Sequence, residues 1–304
     1  MGGAAGCRGR GTSATAIPVT LRSTYDVAGP ADAPAIVCLH GSRVTRTMWS
    51  PQVAGLADRY RVISLDLPGH GMLADVCFTV QRASDHVAAV IDEAAGGRAV
   101  LVGQSLGGYV AMDVAATRPE RVAGLVLCNS TAEPRTLAGR APRVIGSYLV
   151  GEAGKHWRRR RNAAAKRAAP GPAGAAAAVA EDPVGTEDVA TRVMDEEAVS
   201  IAAELAATNG WLFKGGLRAA LAALRTSFLA RLRAWDGPTL IVNGGDDPLF
   251  RRWEHRFLAA ARQGRLVVLE GAGHLVNEDR PDEFNAALGA FVDEIWPRAA
   301  TAPG

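Results

Sequence analysis

Nothing in this chain restricts its folding as tightly as Val100-Leu101-Val102-Gly103-Gln104-Ser105-Leu106-Gly107-Gly108. A β-favouring apolar run, Ala99 to Val102, meets Gly-x-Ser-x-Gly, and a helix-period segment with Tyr109, Val110, Met112, Val114 and Ala115 follows at once. Strand, tight turn and helix are the setting in which this motif carries meaning. A serine on such a turn sits in a strained backbone where bulky neighbours would collide. Gly103 and Gly107 remove those side chains, and Gly108 lets the helix pack close. The hydroxyl is then held up at the strand end, beside the positive end of the new helix. In a chain with 34 glycines the competing reading is a Gly-rich strand-to-helix turn, structural or phosphate-binding. No Gly-Lys-Ser/Thr follows, which sets aside a Walker-type loop. A reactive serine therefore needs partners elsewhere in the chain.

Strand and helix patterns alternate around the motif. Ile17 to Tyr25 reads as a short strand or hairpin. Ala35 to Leu39 is a continuous apolar run, as expected of a strand covered on both faces, and it ends in His40-Gly41-Ser42. Next come a helix through Trp49, Val53 and Leu56 and a buried strand from Arg61 to Leu65, stopped by Asp66-Leu67-Pro68-Gly69-His70-Gly71. A helix over Val80 to Ala95 and, past the motif, a strand from Val122 to Cys128 continue the pattern. From about 133 to 234 no strand is evident. Helices are expected there around Lys155 and Arg158 to Arg161, from Thr186 to Gly210 and from Leu217 to Leu232, with Pro170-Gly171-Pro172-Ala173-Gly174 as a linker. Strands over Pro238 to Val242 and Arg265 to Leu269, and helices over Arg251 to Ala261 and Asp282 to Ile295, resume the alternation. The expected fold is α/β, a mostly parallel central sheet with helices on both faces. Residues 16–132 and 235–304 are expected to form its core, 133–234 a helical lid inserted in it, and 1–15 a disordered tail.

Composition narrows the chemistry. The chain has 304 residues, enough for one large α/β domain with an insertion, and a 48% hydrophobic content that can fill its core. A net charge of +3 gives no general reason to expect a nucleic-acid or membrane partner. Cys7, Cys38, Cys77 and Cys128 form no Cys-x-x-Cys pair. They read as small buried hydrophobes in a reducing cytoplasm, without disulfides or a zinc site. No His, Asp, Glu or Cys cluster has metal-ligand spacing, and no Gly-x-Gly-x-x-Gly opens the first strand-to-helix turn. Neither a metal nor another cofactor is expected, only a small-molecule substrate. Oligomeric state is not written in the sequence.

A serine hydroxyl becomes nucleophilic only when a base accepts its proton, and that base needs a third group to orient it. Each resumed strand ends in a candidate. Leu240-Ile241-Val242 leads into Asn243-Gly244-Gly245-Asp246-Asp247-Pro248, and Val267-Val268-Leu269 into Glu270-Gly271-Ala272-Gly273-His274. Functional groups collect at the carboxyl ends of strands in open α/β sheets, so Ser105, an aspartate and His274 are expected at one edge. Asp246 and Asp247 are both open for the acid on residue type alone, the other being a turn residue capping its own backbone.

These motifs resemble those of the α/β-hydrolase fold superfamily. Leu39-His40-Gly41 is similar to its oxyanion loop, Asp66-x-Pro-Gly-His-Gly to the loop after the next strand, and Gly103 to Gly108 to its nucleophile elbow. Gly244-x-x-Asp247 and Gly273-His274 are similar to its acid and histidine loops. The likeness covers roughly residues 35–132 and 235–296. Arg118-Pro119-Glu120-Arg121-Val122, and Gly273-His274-Leu275 with Asn277, Pro281, Phe284 and Asn285, resemble the small lactonase, esterase and cofactor-free haloperoxidase-like branch. The resemblance implies Ser105 as nucleophile, His274 as base and Asp247 as acid. It also implies the backbone N–H groups of Ser42 and Leu106 as oxyanion donors. Met72 and Leu73 stand where relatives usually have a small polar residue.

The implied activity is hydrolysis of a small or medium carboxylic ester, lactone or thioester through an acyl-enzyme. The alternatives are a non-hydrolytic reaction at the same site (C–C cleavage, cyclisation or cofactor-free peroxidation) and a receptor-like ligand binder on the same scaffold. Of the other histidines, His40 is expected to pack behind the oxyanion loop and His70 to shape its glycine turn. His86, His156 and His255 are expected in solvent. Arg158 to Arg161 read as a solvated helix face. Trp157, Trp211, Phe213 and Phe228 either line an acyl pocket or hold the insert to the core.

Overall fold

A computed structural model describes residues 20–42, 44–131, 227–251 and 254–296. Seven strands form one sheet: β1 (Tyr25–Ala28), β2 (Ala35–Leu39), β3 (Arg61–Leu65), β4 (Ala99–Gln104), β5 (Val122–Cys128), β6 (Pro238–Gly244) and β7 (Gln263–Leu269). Their order across the sheet is β1-β3-β2-β4-β5-β6-β7. β1 pairs antiparallel with β3, and every other neighbouring pair is parallel. β2, β4 and β5 are buried along their whole length, which is why they read as unbroken apolar runs rather than as alternating ones.

Period-2 side chains divide the core in two. On β2, Val37 and Leu39 join a cluster on one face with Val87, Val90 and Ile91 of α2 (Val80–Ala94) and Val110 and Val114 of α3 (Leu106–Thr117). Ile36 and Cys38 face the other way, toward Leu56 of α1 (Ser50–Leu56) and Phe284, Leu288 and Val292 of a long C-terminal helix, Pro281–Ile295. Between α3 and that last helix the described residues hold four short ones: α4 (Leu229–Ala234), α5 (Pro248–Arg251), α6 (Glu254–Ala260) and α7 (Val276–Asp279). The last helix is α8. Helices thus cover both faces of a mostly parallel sheet.

Several local expectations change. Leu21–Thr24 is a 3-10 turn and only Tyr25–Ala28 is strand; the part of that expectation before residue 20 lies outside the described residues. Of the helix expected over Arg251 to Ala261, Glu254–Ala260 is helical and Arg251 ends the short helix Pro248–Arg251; residues 252 and 253 lie outside the described residues. Of the insert expected over 133–234, only residues 227–234 are described. There Phe228 and Leu232 are fully buried, and Phe228 stacks on Tyr109 of α3 with ring centroids 5.0 Å apart. The Arg158 to Arg161 run, His156, Trp157, Trp211, Phe213 and the tail at 1–15 lie outside the described residues.

Cys38 and Cys128 are free and buried, as small hydrophobes. Cys77, in contrast, is disulfide-bonded. The expectation of no disulfide rested on spacing, and spacing says nothing about cysteines paired across a fold. Among the described residues no helix is long and apolar enough to cross a membrane.

Polar groups inside the core are tied in pairs. Asp113 of α3 is buried, accepts a 2.7 Å hydrogen bond from Ser84 of α2 and forms an ion pair with Arg231 of α4. Asp66, also buried, accepts from the backbone N–H groups of Arg46 and Met72, both at 3.0 Å, and pairs with the Arg46 guanidinium. The Asp66 carboxylate therefore pins the loop after β2 to the loop after β3.

Candidate active site

β4 leads straight into α3, and the reversal falls on Ser105, whose backbone adopts φ 49° and ψ −107°. A positive φ at a non-glycine residue is strained and is kept only where the surroundings hold it. Here they do. Ser105 N donates to Cys128 O at 3.0 Å, and Ser105 O accepts from Gly108 N at 3.1 Å and from Ser130 Oγ at 3.0 Å. The glycines leave no alternative. A Cβ on Gly107 would stand 2.1 Å from Leu39 O, and one on Gly103 would stand 2.5 Å from the Gly107 carbonyl.

Both sequence-assigned oxyanion donors flank this turn. Leu106 is the first residue of α3, so its N–H has no carbonyl one turn back to bond. Ser42 follows Gly41 on the loop after β2, where a Cβ on Gly41 would lie 2.0 Å from Gln104 Oε1 and 3.5 Å from Ser105 Cβ. The loop therefore runs directly over the serine.

His40 props that loop from behind. Its Nδ1 donates to Gly41 O at 2.7 Å and its Nε2 accepts from Leu67 N at 3.0 Å, so the neutral ring is fully satisfied. His70 lies against it with ring centroids 4.6 Å apart. Burial pushes His40 down to about 4 and His70 down to about 3, from an ordinary value of 6.5. His86, expected in solvent, instead has an enclosed Nε2 with no hydrogen-bond partner among the described residues, and burial lowers its pKa as well. It packs against the Asp66 backbone, a contact across elements that helix periodicity does not reveal.

Acid stability follows from these rings. An imidazole depressed in the fold is protonated first in the unfolded chain, so its contribution is complete above about pH 6.5 and is lost as pH falls toward 4. For His40 alone the full loss is roughly 3 kcal/mol. The urea midpoint is expected to fall steadily from pH 7 to 4.5, and a flat midpoint over that range would contradict the burial of these histidines.

Asp247 follows β6 and His274 follows β7, and the structure brings the two together. His274 Nδ1 lies 2.8 Å from Asp247 Oδ2. The side chain of Asp247 is 7% exposed and that of His274 16%. Asp246 is exposed and joins this region through its backbone alone, donating to Ala272 O at 2.9 Å. The carboxylate facing the imidazole is therefore that of Asp247. Burial raises its pKa, but the His274 contact and hydrogen bonds from Asn129 and the Phe250 N–H outweigh that, and it ends below the ordinary carboxylate value. A carboxylate facing Nδ1 favours the tautomer with its proton on Nδ1 and its lone pair on Nε2.

The histidine loop is fixed from several sides. Gln104, next to the serine, donates from Nε2 to His274 O at 3.0 Å. Asp279 accepts from Gly273 N at 2.7 Å, and the Phe250 ring stacks on the imidazole at 4.7 Å. Asn277 is bonded to Gln52 and Met48 O of the α1 region. Sequence reasoning passed over two of these groups, Gln104 and Asn129. Gln104 is the variable position of the serine motif, and Asn129 is the first residue past an apolar strand; no spacing rule marks either. Among the described residues no three His, Cys, Asp or Glu side chains group as metal ligands would.

Comparison with known proteins agrees with this architecture. At 27% identity the chain matches 3-oxoadipate enol-lactonase 1 of Acinetobacter baylyi, over 90% of this chain and 93% of that one. The pimeloyl-[acyl-carrier protein] methyl ester esterase of Xanthomonas campestris pv. campestris is 33% identical over 267 residues, 85% of this chain and 95% of that one. Two further curated relatives are matched over less than half of their own length, 45% and 38%. Among solved structures, the enol-lactonase of Burkholderia xenovorans LB400 superposes with a TM-score of 0.60 at 23% identity, covering 88% of this chain and 95% of that one. The model of the alpha/beta hydrolase family matches residues 36–287. That span takes in the serine turn and the acid and histidine loops, and the chain belongs to the alpha/beta hydrolase family.

Proposed function

We propose that this protein is a serine hydrolase of small or medium carboxylic esters, lactones or thioesters. The observation that carries the reading is the 2.8 Å contact between His274 Nδ1 and Asp247 Oδ2, on a loop that Gln104 ties to the serine turn. Ser105 attacks the acyl carbonyl while His274 Nε2 takes its proton. The N–H groups of Ser42 and Leu106 receive the charge that develops on the carbonyl oxygen. His274 then protonates the leaving alcohol or thiol, and water attacks the acyl-enzyme with His274 again as base. Asp247 keeps the Nδ1 tautomer and stabilises the imidazolium. The relatives named as a methyl ester esterase and an enol-lactonase support carboxylic ester bonds, open or cyclic, as the substrate class. The two buried free thiols suit a reducing cytoplasm, against which the bonded Cys77 counts.

Turnover should be measured across p-nitrophenyl esters of increasing acyl length, aliphatic lactones and acyl thioesters. Saturable hydrolysis of at least one class is expected, with one acyl length preferred. Absence of hydrolysis from all three would defeat the reading, and a ligand that binds without turnover would favour a receptor on this scaffold.

A further inference from the structure

Between β4, which leads into Ser105, and β6, which leads to Asp247, lies β5, and the residue just past its end is Asn129. Asn129 is fully buried, and its Nδ2 donates to Asp247 Oδ2 at 2.8 Å. That is the same oxygen that faces His274 Nδ1 at 2.8 Å. The reverse orientation of the amide would set two oxygens against each other, so its sense is fixed by chemistry. Asn129 also adopts φ 41°, a left-handed conformation that glycine, asparagine and aspartate tolerate best. Its backbone N–H donates to Val242 O at 3.1 Å. Its Oδ1 is buried with no hydrogen-bond partner among the described residues. A turn alone would be served as well by glycine, without burying an amide oxygen that no described residue satisfies. What the amide adds is one donor, aimed at the acid.

We infer that Asn129 is a positioning residue for the reaction: its amide holds the Asp247 carboxylate in the one orientation that offers Oδ2 to His274. This rests on the reading of Ser105, His274 and Asp247 as the catalytic set. Among the described residues, the other ionisable groups on the packed elements are Asp246, Arg251, Glu254, His255, Arg256, Glu270, Glu278 and Asp279. Arg251 lies 3.6 Å from Glu254, and Asp279 is engaged by Gly273 N. Glu270 lies beside Gly245.

Two substitutions separate positioning from backbone support. Asn129→Gly keeps the left-handed turn and deletes the donor. Asn129→Asp keeps the turn and the shape but makes the donor conditional. Two carboxyls sharing one site hold a proton between them, which the new group can donate to Asp247 as the amide does. Once that proton is lost at higher pH, the donor is gone and two carboxylates repel each other, so Asp247 is no longer held toward His274.

kcat/KM should be measured from about pH 5.5 to 8.5 on the p-nitrophenyl ester that the wild type hydrolyses fastest, with each variant expressed as a ratio to wild type. Asn129→Gly is expected to lie tenfold or more below wild type at every pH, mostly in kcat, with its thermal midpoint little changed. For Asn129→Asp the ratio should approach one at the acid end and fall about tenfold toward pH 8.5. If Asn129→Gly melts too early to assay, the slope of the Asn129→Asp ratio decides alone. Asn129→Gly within about twofold of wild type, or a flat Asn129→Asp ratio, would overturn the inference. Ser105→Ala, run alongside, separates the two levels. Turnover that survives there defeats the catalytic reading itself; turnover that vanishes there, with unaffected Asn129 variants, defeats only the role of Asn129.

Discussion

Asp247→Asn is expected to lower kcat about 10³-fold and leave KM within about threefold. An amide in place of the acid generally costs about 10⁴-fold, much of it because its N–H₂ can face the imidazole and impose the wrong tautomer. Here the neighbouring amide opposes that outcome. Asn129 Nδ2 requires an oxygen where Asp247 Oδ2 now sits, and the same oxygen faces His274 Nδ1. The substituted amide is therefore turned oxygen-inward, and the loss is mainly of the charge that stabilises the imidazolium. The fold should survive, because the backbone bonds Asp247 N to Gly244 O (3.1 Å) and Arg251 N to Asp247 O (3.2 Å) do not involve the side chain. Steady-state kinetics with thermal melting checks both halves. A change in kcat below tenfold in a folded variant would remove Asp247 from the chemistry.

Ser105→Ala has a larger expected effect, a fall in kcat of about 10⁵-fold or more. What remains is what the oxyanion N–H groups and substrate binding supply without a nucleophile. The substitution is structurally mild. It deletes one oxygen, keeps the backbone bonds of residue 105 to Cys128, Gly108 and Ser130, and adds nothing that Gly103 or Gly107 must accommodate. Stability should stay within about 0.5 kcal/mol of wild type. Activity lost without stability is the pattern expected of a nucleophile rather than of a packing residue.

The sheet and the motif-bearing turns were legible because each buried parallel strand is an unbroken apolar run that stops at a glycine-containing loop. Val100 to Val102 before Gly103, and Leu240 to Val242 before Gly244, both read this way. His274 was legible for the same reason, as it ends such a loop. Less was visible where a side chain's role depends on what another element brings to it. His86 sits on a polar-looking stretch of helix, yet the Asp66 loop packs over it. Arg231 belongs to no motif in the sequence, yet it pairs with Asp113 on α3. Asn129 and Gln104 belong to no spacing rule, since their partners, Asp247 and His274, lie more than a hundred residues away. The Cys77 disulfide was missed because cysteine spacing carries no information about pairing across a fold.

The most direct test of Ser105 as the reacting group is titration with a fluorophosphonate, read by intact mass, peptide mapping and residual turnover in the same samples. One adduct per chain is expected, on Ser105, with ester turnover falling in proportion to the labelled fraction and no adduct in Ser105→Ala. Full turnover in completely labelled protein, or an adduct on another residue that accounts for the loss, would contradict it.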